Sequence, residues 1–162
     1  FIAATNRNDT VPRYLKNRVW SPAKTVATSS NAMDVAEPSN WPRVEAVFSA
    51  MNCPLSALEG ISISEEMTAG SLRELYQCGY LSEPHAAVAA AALQQSLQPG
   101  EHGIFLGTAH PAKFKESVEQ VLNLNMDLPA ALQAVAGREI LSTHLAADFQ
   151  QIKAYLLSGT NR

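Results

Sequence analysis

Residues 83–123 limit the possible folds more than any other part of the chain. Glu83-Pro84 opens an alanine-rich run in which Pro stands at the first helical position, where its missing N–H costs nothing. The run predicts a helix to about Leu97, stopped by Pro99-Gly100. Residues 103–107 follow, with Ile104, Phe105 and Leu106 in succession. Such a continuous apolar run reads as a short strand covered on both faces. His110-Pro111 then starts another helix, with Phe114, Val118, Val121 and Leu122 on one side. Strand followed by helix fits an open α/β sheet. Too few strands can be read here to complete such a sheet, so the chain is expected to be one part of a larger protein.

The remaining elements support that class. Phe1-Ile2-Ala3-Ala4-Thr5 reads as a strand already in progress, ended by the polar turn Asn6-Arg7-Asn8-Asp9-Thr10. A bare apolar strand at a terminus would leave an unpaired sheet edge, which again points to a piece of something longer. A short helix is expected from Val11, with Pro12 in its first turn. Residues 20–40 lack periodicity and read as a functional loop or linker, with a hint of strand at 25–28. Helices are expected over 41–51, capped by Asn40, and over 65–78, capped by Ser64 and interrupted at Gly70; Gly79 suits a C-terminal cap. Residues 61–63 alternate like a brief strand, and two further helices are expected over 128–136 and 147–157.

Composition narrows the function classes. With 162 residues and 46% hydrophobic content the chain can bury one ordinary core. Its net charge of -3 and scattered basic residues argue against a nucleic-acid or anionic membrane surface. No apolar run approaches the roughly 20 residues of a membrane helix, and the apolar run Phe1 to Thr5, followed at once by polar Asn6 to Asp9, does not read as a signal peptide. Cys53 and Cys78 are too few for a disulfide framework and have no metal-site spacing, so they read as reduced thiols of a cytoplasmic protein. The histidines at 85, 102, 110 and 144 form no metal-binding pattern, and no metal is expected.

Three places could carry chemistry. Thr108 in Leu106-Gly107-Thr108-Ala109-His110-Pro111 sits at the expected end of a strand and before a helix. Ligands in open α/β sheets lie there, and a hydroxyl can pair with an unprotonated ring nitrogen. The same residues, Thr108 and His110, could equally do no more than cap the helix. Glu83 precedes Pro84 and gains roughly 0.3–1 kcal/mol from the helix dipole, so capping alone could account for it; His85 is a possible base or a structural histidine. The loops around Asn6 and Asp9, and around Ser30 and Asn31, are dense in donors and acceptors, which turn chemistry explains without a ligand.

Their order along the chain adds specificity. Ala4-Thr5-Asn6-x-Asn8-Asp9-Thr10-Val11-Pro12-Arg13, Ser30-Asn31-Ala32-Met33-Asp34-Val35 and Pro38-Ser39-Asn40-Trp41-x-Arg43 come first. Gly79-Tyr80-x-Ser82-Glu83-Pro84-His85-x-Ala87-Val88-Ala89 and Gly107-Thr108-Ala109-His110-Pro111-Ala112-Lys113-Phe114 complete the set. Together these resemble the C-terminal portion of the threonine synthase family, of the enterobacterial type, from residue 1 to about 157. The resemblance implies a fold-type II pyridoxal-phosphate enzyme, tryptophan synthase β-like, mostly helices with a few short strands. Residues 1–162 would then form the C-terminal part of the catalytic region.

The implied reaction converts O-phospho-L-homoserine and water to L-threonine and phosphate. By the same resemblance Thr108 and Glu83 are cofactor-binding positions, Thr108 facing the pyridine nitrogen. Asn6, Asp9, Ser30 and Asn31 match polar loops taken as substrate-binding. The family's Schiff-base lysine and phosphate-cradling loop have no counterpart here, so the chain alone is expected to be inactive, its partner being the missing N-terminal part. A phosphohomoserine phospho-lyase of the same fold, and a non-catalytic interaction domain on the same scaffold, remain alternative readings.

Overall fold

The computed structural model describes residues 1–159, which divide into two compact units, one of residues 1–127 and one that begins at residue 128. The first unit is organised around a parallel pair of strands. β1 (Ile2–Thr5) pairs with β2 (Glu59–Ser62) in the register Ile2 to Glu59 through Thr5 to Ser62. The crossover between them carries α1 (Thr10–Asn17) and α2 (Trp41–Ala50). β2 leads into α3 (Glu65–Gln77) and then α4 (Pro84–Ser96). A 3-10 turn, Pro111–Phe114, runs directly into α5 (Lys115–Leu122).

α3 and α4 begin where the residue chemistry requires. Ser64 accepts a hydrogen bond from the Met67 amide at the start of α3, and Glu83 accepts two at the start of α4. Gly79 follows α3 at φ +84°, a left-handed geometry that costs glycine least. Asn40 precedes α2 but makes no side-chain cap bond. Gly70 was expected to interrupt α3; the helix continues through it, since one glycine costs only about 1 kcal/mol and packing of the helix outweighs that.

The core explains why α4 is so rich in alanine. Val88, Ala91 and Ala92 of α4 pack with Ile63, and Ile2, Ala4 and Ile61 of the strands lie against this cluster. Small side chains let the helix backbone settle close to a sheet only two strands wide. The other side is equally tight: a Cβ on Gly60 would stand 2.7 Å from the Pro12 Cα of α1. Only glycine fits there.

Two strand expectations need correction. Residues 103–107 are extended but form no ladder among the described residues, with Ile104 90% and Leu106 73% exposed. A strand exists only when a neighbour accepts its backbone hydrogen bonds, and none lies beside this segment. Residues 25–28 also remain irregular, being held by side chains rather than by a ladder.

The second unit holds α6 (Ala130–Gln133), shorter than the 128–136 helix expected, and α7 (Phe149–Ser158). Asp148 caps α7 through the Gln151 amide at 2.9 Å, and the Thr143 hydroxyl lies 3.1 Å from that of Tyr155. No residue of either helix is buried.

Candidate functional site at the carboxyl ends of the parallel strands

Polar residues stand where both strands end. Asn6 directly follows β1; Ser62 closes β2 and donates to the Asn6 carbonyl at 3.0 Å. The Asn6 side chain is buried at 5% exposure. Its amide group lies 3.0 Å from the Thr28 hydroxyl, 2.9 Å from that of Ser30 and 3.1 Å from Asp34 Oδ1, while its oxygen accepts from the Asn8 amide. The second asparagine, Asn8, donates to the Val26 carbonyl and to Asp34 Oδ1.

Asp34 is the hub. Its Oδ1 accepts from Thr28 Oγ1 at 2.7 Å as well as from both asparagines, and its Oδ2 accepts from the Thr28 amide at 2.9 Å. One carboxylate thus ties residues 26–34 to the end of β1, and Ser29 N donates to Glu65 of α3 to fix the loop's other side. A carboxylate satisfied by several charge-assisted bonds can rest inside a protein that would otherwise exclude it.

Four residues were assigned to substrate by resemblance, and the structure treats them differently. Asn6 and Ser30 come together, 2.9 Å apart and buried, as members of the network. Asp9 stands apart from it, bonded to Arg13 Nε at 2.8 Å one turn along α1. Asn31 opens a 3-10 turn with its side chain exposed. Thr28, Asn8 and Asp34 share the network, yet sequence reasoning singled out none of them as a site residue. The only available signal was polar density in the loop, which does not reveal which carboxylate the others surround.

Glu83 and Thr108 also part company. Glu83 is 1% exposed, and its carboxylate accepts from the His85 and Ala86 amides, both at 2.8 Å. The His85 ring nitrogen Nδ1 lies 2.6 Å from the same carboxylate. Burial pushes the carboxyl pKa up, but the bonds from the His85 side chain and from the two amides outweigh it, leaving the pKa below its ordinary value. Glu83 is therefore an ionised helix cap braced by histidine. His85 in turn packs on Phe114, ring centroids 4.7 Å apart, joining α4 to the turn after Thr108. Thr108 itself is exposed just before that turn, where His110, not Thr108, supplies the cap by accepting from the Ala112 amide.

Among the described residues no group of histidine, cysteine or acidic side chains could hold a metal ion, and no helix is long and apolar enough to cross a membrane. Cys53 and Cys78 are free thiols.

Parallel strands, polar loops crowning their carboxyl ends and a capped helix covering the sheet define the class: part of an open α/β domain, the kind in which ligands lie beyond the strand ends. Comparison with known proteins adds a specific likeness. Residues 86–156 match the family model described as threonine synthase, C-terminal. The chain is 54% identical to the threonine synthase of Serratia marcescens over 97% of its own length, and it spans 37% of that relative. The crystal structure of the Escherichia coli threonine synthase superposes with a TM-score of 0.93 at 53% identity, over 98% of this chain and 37% of that one. The pyridoxal-phosphate-bound threonine synthase of Brucella melitensis follows, with a TM-score of 0.80 at 26% identity over 99% and 40%. Over nearly its whole length this chain is similar in sequence and fold to the C-terminal portion of these threonine synthases, the fold-type II class expected from its motifs.

Proposed function

We propose that this chain is the C-terminal part of the catalytic region of a threonine synthase, acting with pyridoxal phosphate on O-phospho-L-homoserine and water to give L-threonine and phosphate. The supporting observation is the family-wide sequence match together with a fold that presents polar loops at the carboxyl ends of parallel strands. When bound, the cofactor supplies an electron sink for proton removal from the amino acid.

The chain's own residues fit that group unequally. Thr108 has an exposed hydroxyl beside small Gly107 and Ala109, suited to accept or donate at a ring nitrogen. A neutral partner there leaves the nitrogen unprotonated. Glu83 spends both oxygens on its helix and on His85, so we assign it to holding the α4 terminus near the ring rather than to bonding the ring directly. Asn6 and Ser30 act the same way for the substrate loop: they hold it in shape, while Asn31, exposed at its tip, is the residue free to touch substrate. Asp9 orients Arg13.

The Schiff-base lysine and the phosphate cradle would come from the N-terminal part of the same enzyme, its only required macromolecular partner, and the site of action is the cytoplasm. The 162-residue chain is inactive alone under this reading. Mixing it with pyridoxal phosphate should give no stoichiometric visible band of lysine-bound cofactor; such a band would refute the inactive-fragment reading. In the full-length enzyme Thr108→Val should lower turnover markedly, measured as threonine formed and phosphate released together. Phosphate release without threonine would instead favour the phospho-lyase reading. Unchanged turnover would favour a non-catalytic scaffold.

A further inference from the structure

Tyr14 of α1, Trp20 six residues further on and Trp41 at the start of α2 meet on the side of α1 that faces α2. Tyr14 contacts both indoles edge-on, at 5.4 Å and 5.6 Å between centroids, and the indoles stack on each other at 6.0 Å. Packed aromatic clusters usually close on themselves. This one borders a cavity of about 580 Å³, within the range of small-ligand sites, and two carboxylates, Glu37 and Glu45, line it with the rings. Glu45 accepts from the Tyr14 hydroxyl at 2.8 Å, and neither acid forms an ion pair among the described residues. Arg18 is within electrostatic reach of Tyr14 but stands outside the lining, whereas both acids belong to it.

We propose that this cavity is a binding site for a small organic cation, an alkylated or primary ammonium compound, held by the aromatic faces and the two carboxylates. Aromatic rings attract cations through their quadrupole, indole most strongly, and a desolvated wall strengthens the attraction. Unpaired acids at the rim add charge complementarity and a preference over neutral molecules of the same shape. The site shares no residue with the strand-end network, Glu83 or Thr108, so it stands or falls independently of the proposed catalytic role.

The chain has only two tryptophans, and both lie here, so intrinsic tryptophan fluorescence of the 162-residue chain reports on this site alone. Titration with choline should give a saturable change, and its neutral isostere 3,3-dimethylbutan-1-ol should bind about fivefold more weakly or worse. Glu37→Gln, at an exposed position where folding is not at stake, should weaken choline roughly threefold. Trp20→Ala should abolish the response of the remaining Trp41, with far-UV circular dichroism confirming the fold. Absence of saturation, equal binding of the neutral isostere, or an unaltered response in both variants would overturn the proposal.

Discussion

Thr28 and Thr108 carry the same side chain, lie in polar loops and flank motifs shared with the same family, yet they occupy opposite environments. The Thr28 hydroxyl donates to Asp34 at 2.7 Å and accepts from Asn6, inside a network that closes on itself within one loop and the end of β1. Thr108 is exposed at the end of an extended segment whose apolar residues Ile104 and Leu106 face solvent. The first region brings all its own partners: two asparagines, two hydroxyls and one carboxylate. The second needs backbone partners that no described residue supplies. Polar closure can be local, whereas a strand is a property of two segments, and that is the lesson of the pair.

The comparison can be broken most decisively at its hub. Asp34→Ala would remove the carboxylate that accepts from both donors of Thr28 and one of the several acceptors of the Asn6 and Asn8 side-chain amides, and should cost about 3 kcal/mol in urea unfolding. A loss under about 1 kcal/mol would mean that the loop is held by something other than this carboxylate. Thr28→Val keeps the shape and removes one hydroxyl from the same network; a loss of about 1.5 kcal/mol is expected by the same measurement.

Glu83 offers an intermediate case, since its bonds are local but its brace, His85, reaches to Phe114. Glu83→Gln should destabilise by about 1 kcal/mol at neutral pH through loss of the charged cap. The sign with pH follows from its lowered pKa. The carboxylate's contribution is complete above the ordinary carboxyl range and disappears as pH falls through the still lower folded-state value. Wild type and Glu83→Gln should therefore converge in thermal stability as acid is added, while a gap that widened in acid would reverse the assignment. Smallest of all, Thr108→Val should shift the stability of this chain by less than about 0.5 kcal/mol, as an exposed site does. If it cost as much as Thr28→Val, the contrast between the two regions would vanish.

Much of the fold was legible because it rests on short-range rules. The caps Ser64 and Glu83, Pro84 at the helix start, Gly79 after α3 and the apolar face of α5 each act within a turn of their own position. Those interactions survive whatever else the chain does. The parallel pairing of β1 with β2, across more than fifty residues, was not legible, nor was the need for Gly60 against Pro12. At the candidate site, sequence pattern singled out Asn6 and Ser30, which the structure brings into one network, but it passed over Asp34, because a carboxylate's role as hub depends on which donors surround it.

By itself, then, the amino-acid order determined where α3 and α4 start and stop, which side chains are able to bond, and, through ordered motifs, likeness to threonine synthases. Tertiary structure decided which donors meet which acceptors: Asn6 with Ser30 and Asp34, Glu83 with His85, Tyr14 with two indoles. It also decided that residues 103–107 form no ladder among the described residues. The physical reason is range. Helical hydrogen bonds and caps join residues three or four apart, whereas ladders, buried networks and ring clusters join residues whose separation along the chain places no limit on their distance in space.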